Sequence, residues 1–266
     1  HAIHIKLPMA LINYSNTLQY SVSILRMPDA PLSHADLDVG PILCGQALAG
    51  TIHVGADLDA ATIAISNNCR MQIRMGQRVA DLVPSIQVFD PNGNQITADY
   101  TPEYRAEITT AILTNMGIYT VACSDFFKSR GAYVLSMVKI PGELEGDDPD
   151  VGWIINGETK AGTIDKPGDL DVAFFTAITG DVISVVMQEK TAALNPVMEL
   201  YDPDANLLAI AKDPLQQQAA ITNLLLTTTG KYTLILKDAQ DRYNVKYDLT
   251  LNFISGPSTE NRPETP

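Results

Sequence analysis

The feature that most constrains the fold is an internal repeat that stays in register for about a hundred residues. Gly50-Thr51-Ile52 returns as Gly162-Thr163-Ile164, Asp57-Leu58-Asp59 as Asp169-Leu170-Asp171, Pro84 as Pro196, and Phe89-Asp90-Pro91-Asn92 as Tyr201-Asp202-Pro203-Asp204, each 112 positions on. Gly117 and Tyr119 recur as Gly230 and Tyr232 at 113, and Tyr133 recurs as Tyr247 at 114, so one residue has slipped in each of two late loops. Two copies of one unit must each bury a core of their own, and each is long enough to do so. A third, worn copy opens the chain: Tyr20-Ser21-Val22-Ser23-Ile24, ending at Pro28, reads like the closing strand that runs into Pro141-Gly142 and Gly256-Pro257.

Within each copy the segments alternate with period two or form short β-branched runs, as in Ser85-Ile86-Gln87-Val88-Phe89 and Asp181-Val182-Ile183-Ser184-Val185-Val186, which is the strand pattern. Asp90-Pro91-Asn92-Gly93 sets a tight turn, with Pro fixing φ and Gly93 taking the left-handed position; Asp202-Pro203-Asp204-Ala205-Asn206 shifts that position toward Asn206. Gln216 to Leu226 looks helical in isolation but aligns with the segment from Tyr104, so both read as a loop entering a strand. The fold class is therefore all-β: two tandem antiparallel β-sandwich domains, jelly-roll-like, preceded by an orphan β-hairpin. The boundaries are 1–28 for the hairpin, 36–141 for the first sandwich, 142–150 for an acidic linker, 151–256 for the second sandwich and 257–266 for a flexible tail.

Charge excludes one class of partner. The net charge is −13 over 266 residues with no Lys/Arg cluster, so a surface that tracks phosphates, and with it nucleic acid, is not expected. No apolar run approaches a membrane span, so membrane insertion is not expected either. Cys44, Cys69 and Cys123 all fall in the first copy and have no counterparts in the second; their odd number and lack of CxxC spacing give neither a disulfide framework nor a metal site, and leave their pairing open.

The second copy resembles the bacterial pre-peptidase C-terminal domain. The matching residues are Gly162-Thr163-Ile164, Gly168-Asp169-Leu170-Asp171-Val172-Ala173-Phe174-Phe175 with Gly180-Asp181, Tyr201-Asp202-Pro203, Gly230-Lys231-Tyr232-Thr233 and Tyr247, spanning 148 to 256; a weaker version spans 36 to 141. The first copy departs at Ala60-Ala61-Thr62-Ile63, where the family carries aromatics, and at Asn67-Asn68, where it carries Gly-Asp. The resemblance implies a noncatalytic accessory module, extracellular or at the cell surface, that binds an extracellular protein or polysaccharide or positions its neighbours. Relatives in clostridial collagenases carry calcium at acidic linker residues, to which Glu143, Glu145, Asp147, Asp148 and Asp150 correspond loosely.

Calcium takes several converging oxygen ligands. The 143–150 cluster can supply them, and Asp169 and Asp171, two apart at a strand start, share a face and can add to them; the alternative is that these carboxylates are simply solvated or structural. Asp90 and Asp202 read as turn residues accepting backbone N–H groups. Tyr119, Tyr133, Tyr232 and Tyr247 read as hairpin-face packing with the hydroxyl at the rim, and Trp153, the lone tryptophan, as tucked against the sandwich edge unless exposed. The chain has no GxSxG elbow, HExxH or P-loop, and no catalytic residue is assigned. The expected function is a noncatalytic binding or spacer module. The alternative is a structural subunit of an extracellular assembly in which the N-terminal hairpin adds to a neighbouring copy's sheet.

Overall fold

A computed structural model describes residues 24–25, 38–78, 81–146, 151–212 and 217–260. The N-terminal hairpin apart from Ile24 and Leu25, the linker residues Asp147, Asp148 and Asp150, and positions 261–266 of the tail lie outside the described residues.

Among the described residues each repeat contributes nine strands in the same order. The first supplies β1 (Val39–Pro41), β2 (Gln46–Ile52), β3 (Asp59–Ile65), β4 (Cys69–Gln77), β5 (Pro84–Phe89), β6 (Gln95–Asp99), β7 (Arg105–Leu113), β8 (Gly117–Asp125) and β9 (Gly131–Ile140). The second supplies β10 (Val151–Trp153), β11 (Thr159–Ile164), β12 (Asp171–Ala177), β13 (Val182–Glu189), β14 (Pro196–Tyr201), β15 (Leu207–Lys212), β16 (Gln218–Leu225), β17 (Gly230–Asp238) and β18 (Val245–Ser255). They pair as β1-β3-β8-β5-β6 and β2-β9-β4-β7 in the first repeat and as β10-β12-β17-β14-β15 and β11-β18-β13-β16 in the second. The architecture is all-β, with a five-stranded and a four-stranded sheet facing each other across each core. The ladders are antiparallel except at the entry strands: β1 and β10 run parallel to β3 and β12 for three residues, along a free edge, before the chain crosses to the opposite sheet.

Alternation builds the cores. Ala61, Ile63 and Ile65 of β3, Met71, Ile73 and Met75 of β4, and Tyr133, Leu135 and Met137 of β9 point inward; Phe175, Val185, Leu234 and Leu249 belong to the second core. The recurring Gly, Asp and Tyr turn out to be one device. Gly50 lies against the ring of Tyr133 and Gly162 against the ring of Tyr247, where a Cβ would collide, and the two hydroxyls donate to Asp59 and Asp171 at 2.5 Å in both repeats. These tyrosine hydroxyls are therefore buried rather than at the rim, because the carboxylate that receives them is itself inside.

The other repeated acids cap turns. Asp57 accepts the N–H of His53 and Asp169 that of Asp165, four residues upstream in both copies. Asp90 accepts from the backbone of Asn92 and Asn94, and Asp202 from that of Asp204 and Asn206. The left-handed position in the second turn is Ala205 (φ 63°), not Asn206: Asn206 keeps the place of Asn94, whose side-chain amide also binds the turn aspartate, and this holds the loop at the length set by Gly93 (φ 82°). The tail starts with a helical turn, Pro257–Glu260, tied by Ser258 to Asp181.

The two sandwiches meet face to face. The outward side of β2-β9-β4-β7 lies on the outward side of β10-β12-β17-β14-β15, and Val138 and Ile140 pack with Val172, Phe174, Tyr201 and Ile235 in a third apolar cluster.

Candidate functional site: the joint between the repeats

Strand β4 alternates in a way that suggests a solvated outer face, with Gln72 and Arg74 between Met71, Ile73 and Met75. Both polar residues are nonetheless buried, because the second sandwich covers them. Gly76 makes the approach close enough: its Cα faces the backbone of Pro167 and Gly168, and a side chain there would strike that turn and Asp241. Gly168 itself sits at φ 73°, where its N–H donates to Asp241 at 2.8 Å.

Next to this contact lies a network of ionised groups drawn from both repeats. Arg74 stands 3.4 Å from Glu107 and 3.6 Å from Asp241, and donates to the Asp238 carbonyl at 3.1 Å. Lys237 reaches Glu107 at 2.6 Å and Glu199 at 2.7 Å, so it bridges a carboxylate of each repeat. Gln72 donates to Glu199 at 2.5 Å and to the Tyr201 hydroxyl at 2.7 Å, and that hydroxyl donates to Glu199 at 2.7 Å. Arg105 closes the rim, 3.4 Å from Glu107 and over the ring of Tyr104. Three cations, Arg74, Arg105 and Lys237, thus face three acids, Glu107, Glu199 and Asp241. The balance matters, since an uncompensated charge in such a place is strongly destabilising.

Burial by itself works against ionisation of Glu107, but Arg74, Lys237 and Arg105 more than offset it and hold the carboxyl at about 2. Asp241 goes the other way: burial lifts it above the usual carboxylate value, and Arg74 and the Gly168 N–H only partly oppose that. Burial also pushes the Tyr201 hydroxyl up, with the Glu199 charge adding to it.

The linker is laid along one edge of the joint. Leu144 packs on the apolar cluster beside Gly45, and the N–H groups of Glu145 and Gly146 both donate to the Cys44 carbonyl, at 2.9 and 3.0 Å. Of the expected calcium ligands, Glu143 pairs with Lys231 at 2.5 Å and Glu145 with Lys139 at 3.1 Å, while Asp169 caps its turn and Asp171 holds Tyr247 inside the second core. The structure brings Glu143 and Glu145 to the joint and leaves Asp169 and Asp171 in separate structural roles. Among the described residues no three His, Cys, Asp or Glu side chains gather as a metal-ligating group. A cleft of about 300 Å³ opens beside the linker between Ser66, Asn67, Cys69, Lys139, Glu143 and Lys231.

Cys44, Cys69 and Cys123 are buried free thiols. Cys44 belongs to the joint, its sulfur accepting from the Lys139 N–H at 3.2 Å, and burial pushes its thiol up to about 11. Trp153 remains 49% exposed, tilted over Phe174 at 5.9 Å between centroids, with Lys231 on the same ring at 4.7 Å. Among the described residues no helix is long and apolar enough to cross a membrane.

The chain matches no protein-family profile and no curated protein. Among solved structures it is similar to the pre-peptidase C-terminal domain of a collagenase from Bacillus anthracis, 14% identical over 41% of this chain and 99% of that one, with a TM-score of 0.33. It is also similar to PliG from Aeromonas hydrophila, a periplasmic inhibitor of g-type lysozyme, 13% identical over 39% of this chain and 97% of that one, with a TM-score of 0.31. The secreted serine protease VesC from Vibrio cholerae is 10% identical over 82% of this chain and 49% of that one, with a TM-score of 0.31. At these identities and scores, function has to be read from the chain's own residues.

Proposed function

We propose that the chain is a noncatalytic extracellular module, two sandwiches of the pre-peptidase C-terminal type, whose task is to hold a fixed spacing and orientation. The observation that supports this is the joint. Tandem domains on a free linker turn relative to one another, whereas here an apolar cluster, six balanced charges and a pinned linker bind sheet to sheet. Calorimetry tests it: the native protein should unfold in one transition, and Arg74→Ala should split that into two. Two independent transitions in the native protein would sink the spacer reading.

Trp153 favours a second reading, binding of an extracellular polysaccharide or protein, because half of a large aromatic surface stays open beside the cleft that Lys231 and Glu143 line. A pull-down against glycan and matrix-protein panels, lost with Trp153→Ala, would support it. Calcium at Glu143, Glu145, Asp147, Asp148 and Asp150 is a separate proposal, and equal melting temperatures in calcium and in chelator would remove it.

A further inference from the structure

The loop from β8 to β9 and its counterpart from β17 to β18 share one backbone plan but not one use. Each hangs from the aspartate that ends its first strand: Asp125 accepts the N–H groups of Val83 and Ser129 at 2.5 and 2.7 Å, and Asp238 those of Asn195 and Arg242 at 2.6 and 3.1 Å. Three residues on, Lys128 (φ 62°) and Asp241 (φ 58°) both take the left-handed conformation. In the second repeat the loop is taken up by the joint, where Asp241 meets Arg74 and the Gly168 N–H. In the first repeat Phe126, Phe127, Lys128 and Arg130 are all exposed, Phe127 to 65%.

Phe126-Phe127-Lys128-Ser129-Arg130 stands where the second repeat has Ala239-Gln240-Asp241-Arg242-Tyr243, and it carries more than a turn requires. The two phenylalanines pack edge to face, 4.9 Å between centroids, so they are held as a pair although both face water. Among the described residues Lys128 and Arg130 have no ion-pair partner, in a chain of net charge −13 whose Lys139, Lys166, Lys190, Lys231 and Lys237 each hold a carboxylate. The neighbouring turn is pressed against this loop, since a Cβ on Gly55 would strike the Lys128 carbonyl. Between turn and loop opens a wide bowl of about 900 Å³, lined by His53, Gly55, Asp81, Lys128, Ser129 and Arg130. Val54, beside His53, is 48% exposed.

The chemistry of the bowl selects its ligand. Two unpaired cations call for an anion. Asp81 among them tells against a uniformly negative surface such as a lipid leaflet, and with the Ser129 hydroxyl and the His53 imidazole it offers hydrogen bonds to hydroxyl groups. His53 is itself held, its Nδ1 3.6 Å from Asp57 and 3.8 Å from Asp38. The exposed phenyl rings offer a contact to the apolar face of a sugar ring. A chain of sugars bearing carboxylates or sulfates at intervals satisfies all of these groups together. We propose that this bowl is a binding site for an acidic polysaccharide, with Lys128 and Arg130 taking its anionic groups and the Phe126–Phe127 pair lying against its rings. The proposal rests on the second reading above, that the module binds an extracellular polymer, but places the contact on the first repeat's loop instead of on Trp153.

Isothermal titration calorimetry on the full chain tests it with three probes: polygalacturonate for carboxylates, heparin for sulfates, and dextran as a neutral polymer. At least one acidic probe should bind, more weakly as salt rises, and dextran should not. Lys128→Asp copies the residue that the second repeat carries at this backbone position, and combined with Arg130→Gln it should weaken binding about tenfold or more. Phe127→Ala should weaken it about fivefold, and Trp153→Ala should leave it unchanged. If the double variant does not fold, Phe127→Ala and the salt dependence of the native protein decide. Binding that dextran matches, or that salt does not weaken, would overturn the proposal. Native affinity in the loop variants with a loss in Trp153→Ala would overturn this site and keep the polymer-binding reading. Binding of neither acidic probe would overturn the proposal and leave the Trp153 reading to its own panel of glycans and matrix proteins.

Discussion

The same sheet face is built twice in this molecule from opposite materials. In the first repeat it carries Ala60, Thr62, Ala122 and Ser124; in the second, the equivalent places hold Val172, Phe174, Ile235 and Lys237. The interiors behind both faces share the strand order and the Gly-Tyr-Asp device. The core thus specifies the sandwich, while the outward residues set what the sandwich stacks against. The face that carries Val172, Phe174, Ile235 and Lys237 makes the joint, with its apolar cluster and its charge pairs.

The sharpest way to break the contrast is Arg74→Ala, which leaves Glu107 and Asp241 buried with less than their counter-charge. It should cost about 3–5 kcal/mol in denaturant unfolding and uncouple the repeats. Acid comes next. Glu107 titrates near 2 in the fold against an ordinary 4.5, so its stabilisation is complete above 4.5 and is lost as the pH falls through 2. At about 1.4 kcal/mol per unit this amounts to on the order of 3 kcal/mol. The raised Asp241 has the opposite sign and offsets part of it, gaining as the pH drops. Unfolding free energy measured from pH 5 to pH 2 should show the decline, and Glu107→Gln should flatten it.

Phe174→Thr gives the second repeat the residue that position 62 has in the first. It should cost about 2–3 kcal/mol in chemical denaturation and loosen the joint without altering either core. Tyr133→Phe and Tyr247→Phe probe what the repeats share and should lose nearly equal amounts, about 2 kcal/mol each, since each leaves a buried carboxylate short of a donor. Very different losses would show that the two cores are less alike than their geometry. Glu143→Gln should shift stability by less than about 1 kcal/mol, because that carboxylate is mostly in water.

Much of the fold was legible because strand alternation and turn chemistry are local. Asp90-Pro91-Asn92 specifies its turn from within, and the segment from Gln216 reads as a loop entering a strand through its alignment with the first repeat, the strand being β16 from Gln218. The parallel entry strands β1 and β10 were not legible, since three residues at an edge carry no period. The joint was legible only in part. Val172-Ala173-Phe174-Phe175 and Leu234-Ile235-Leu236 are apolar on both faces, the pattern of strands covered on two sides, and the aromatic-poor Ala60-Ala61-Thr62-Ile63 already marked the difference between repeats. Arg74, Glu107, Glu199, Lys237 and Asp241 gave no comparable signal. Charges at alternate strand positions look the same whether they face water or another domain, and their pairing joins residues 130 or more positions apart in the bridges made by Lys237 to Glu107 and by Arg74 to Asp241.

The pinned linker has a mechanical consequence. Tension carried along the chain leaves β9 and enters the second sandwich at β10, which is held to β12 by three parallel residue pairs and by Lys160, whose ammonium grips the Val151 and Trp153 carbonyls. Those few bonds are loaded before either core is. Under stretch the entry strand should peel first, releasing a short length of slack while both sandwiches stay folded, so that the molecule gives slightly under a pull without coming apart.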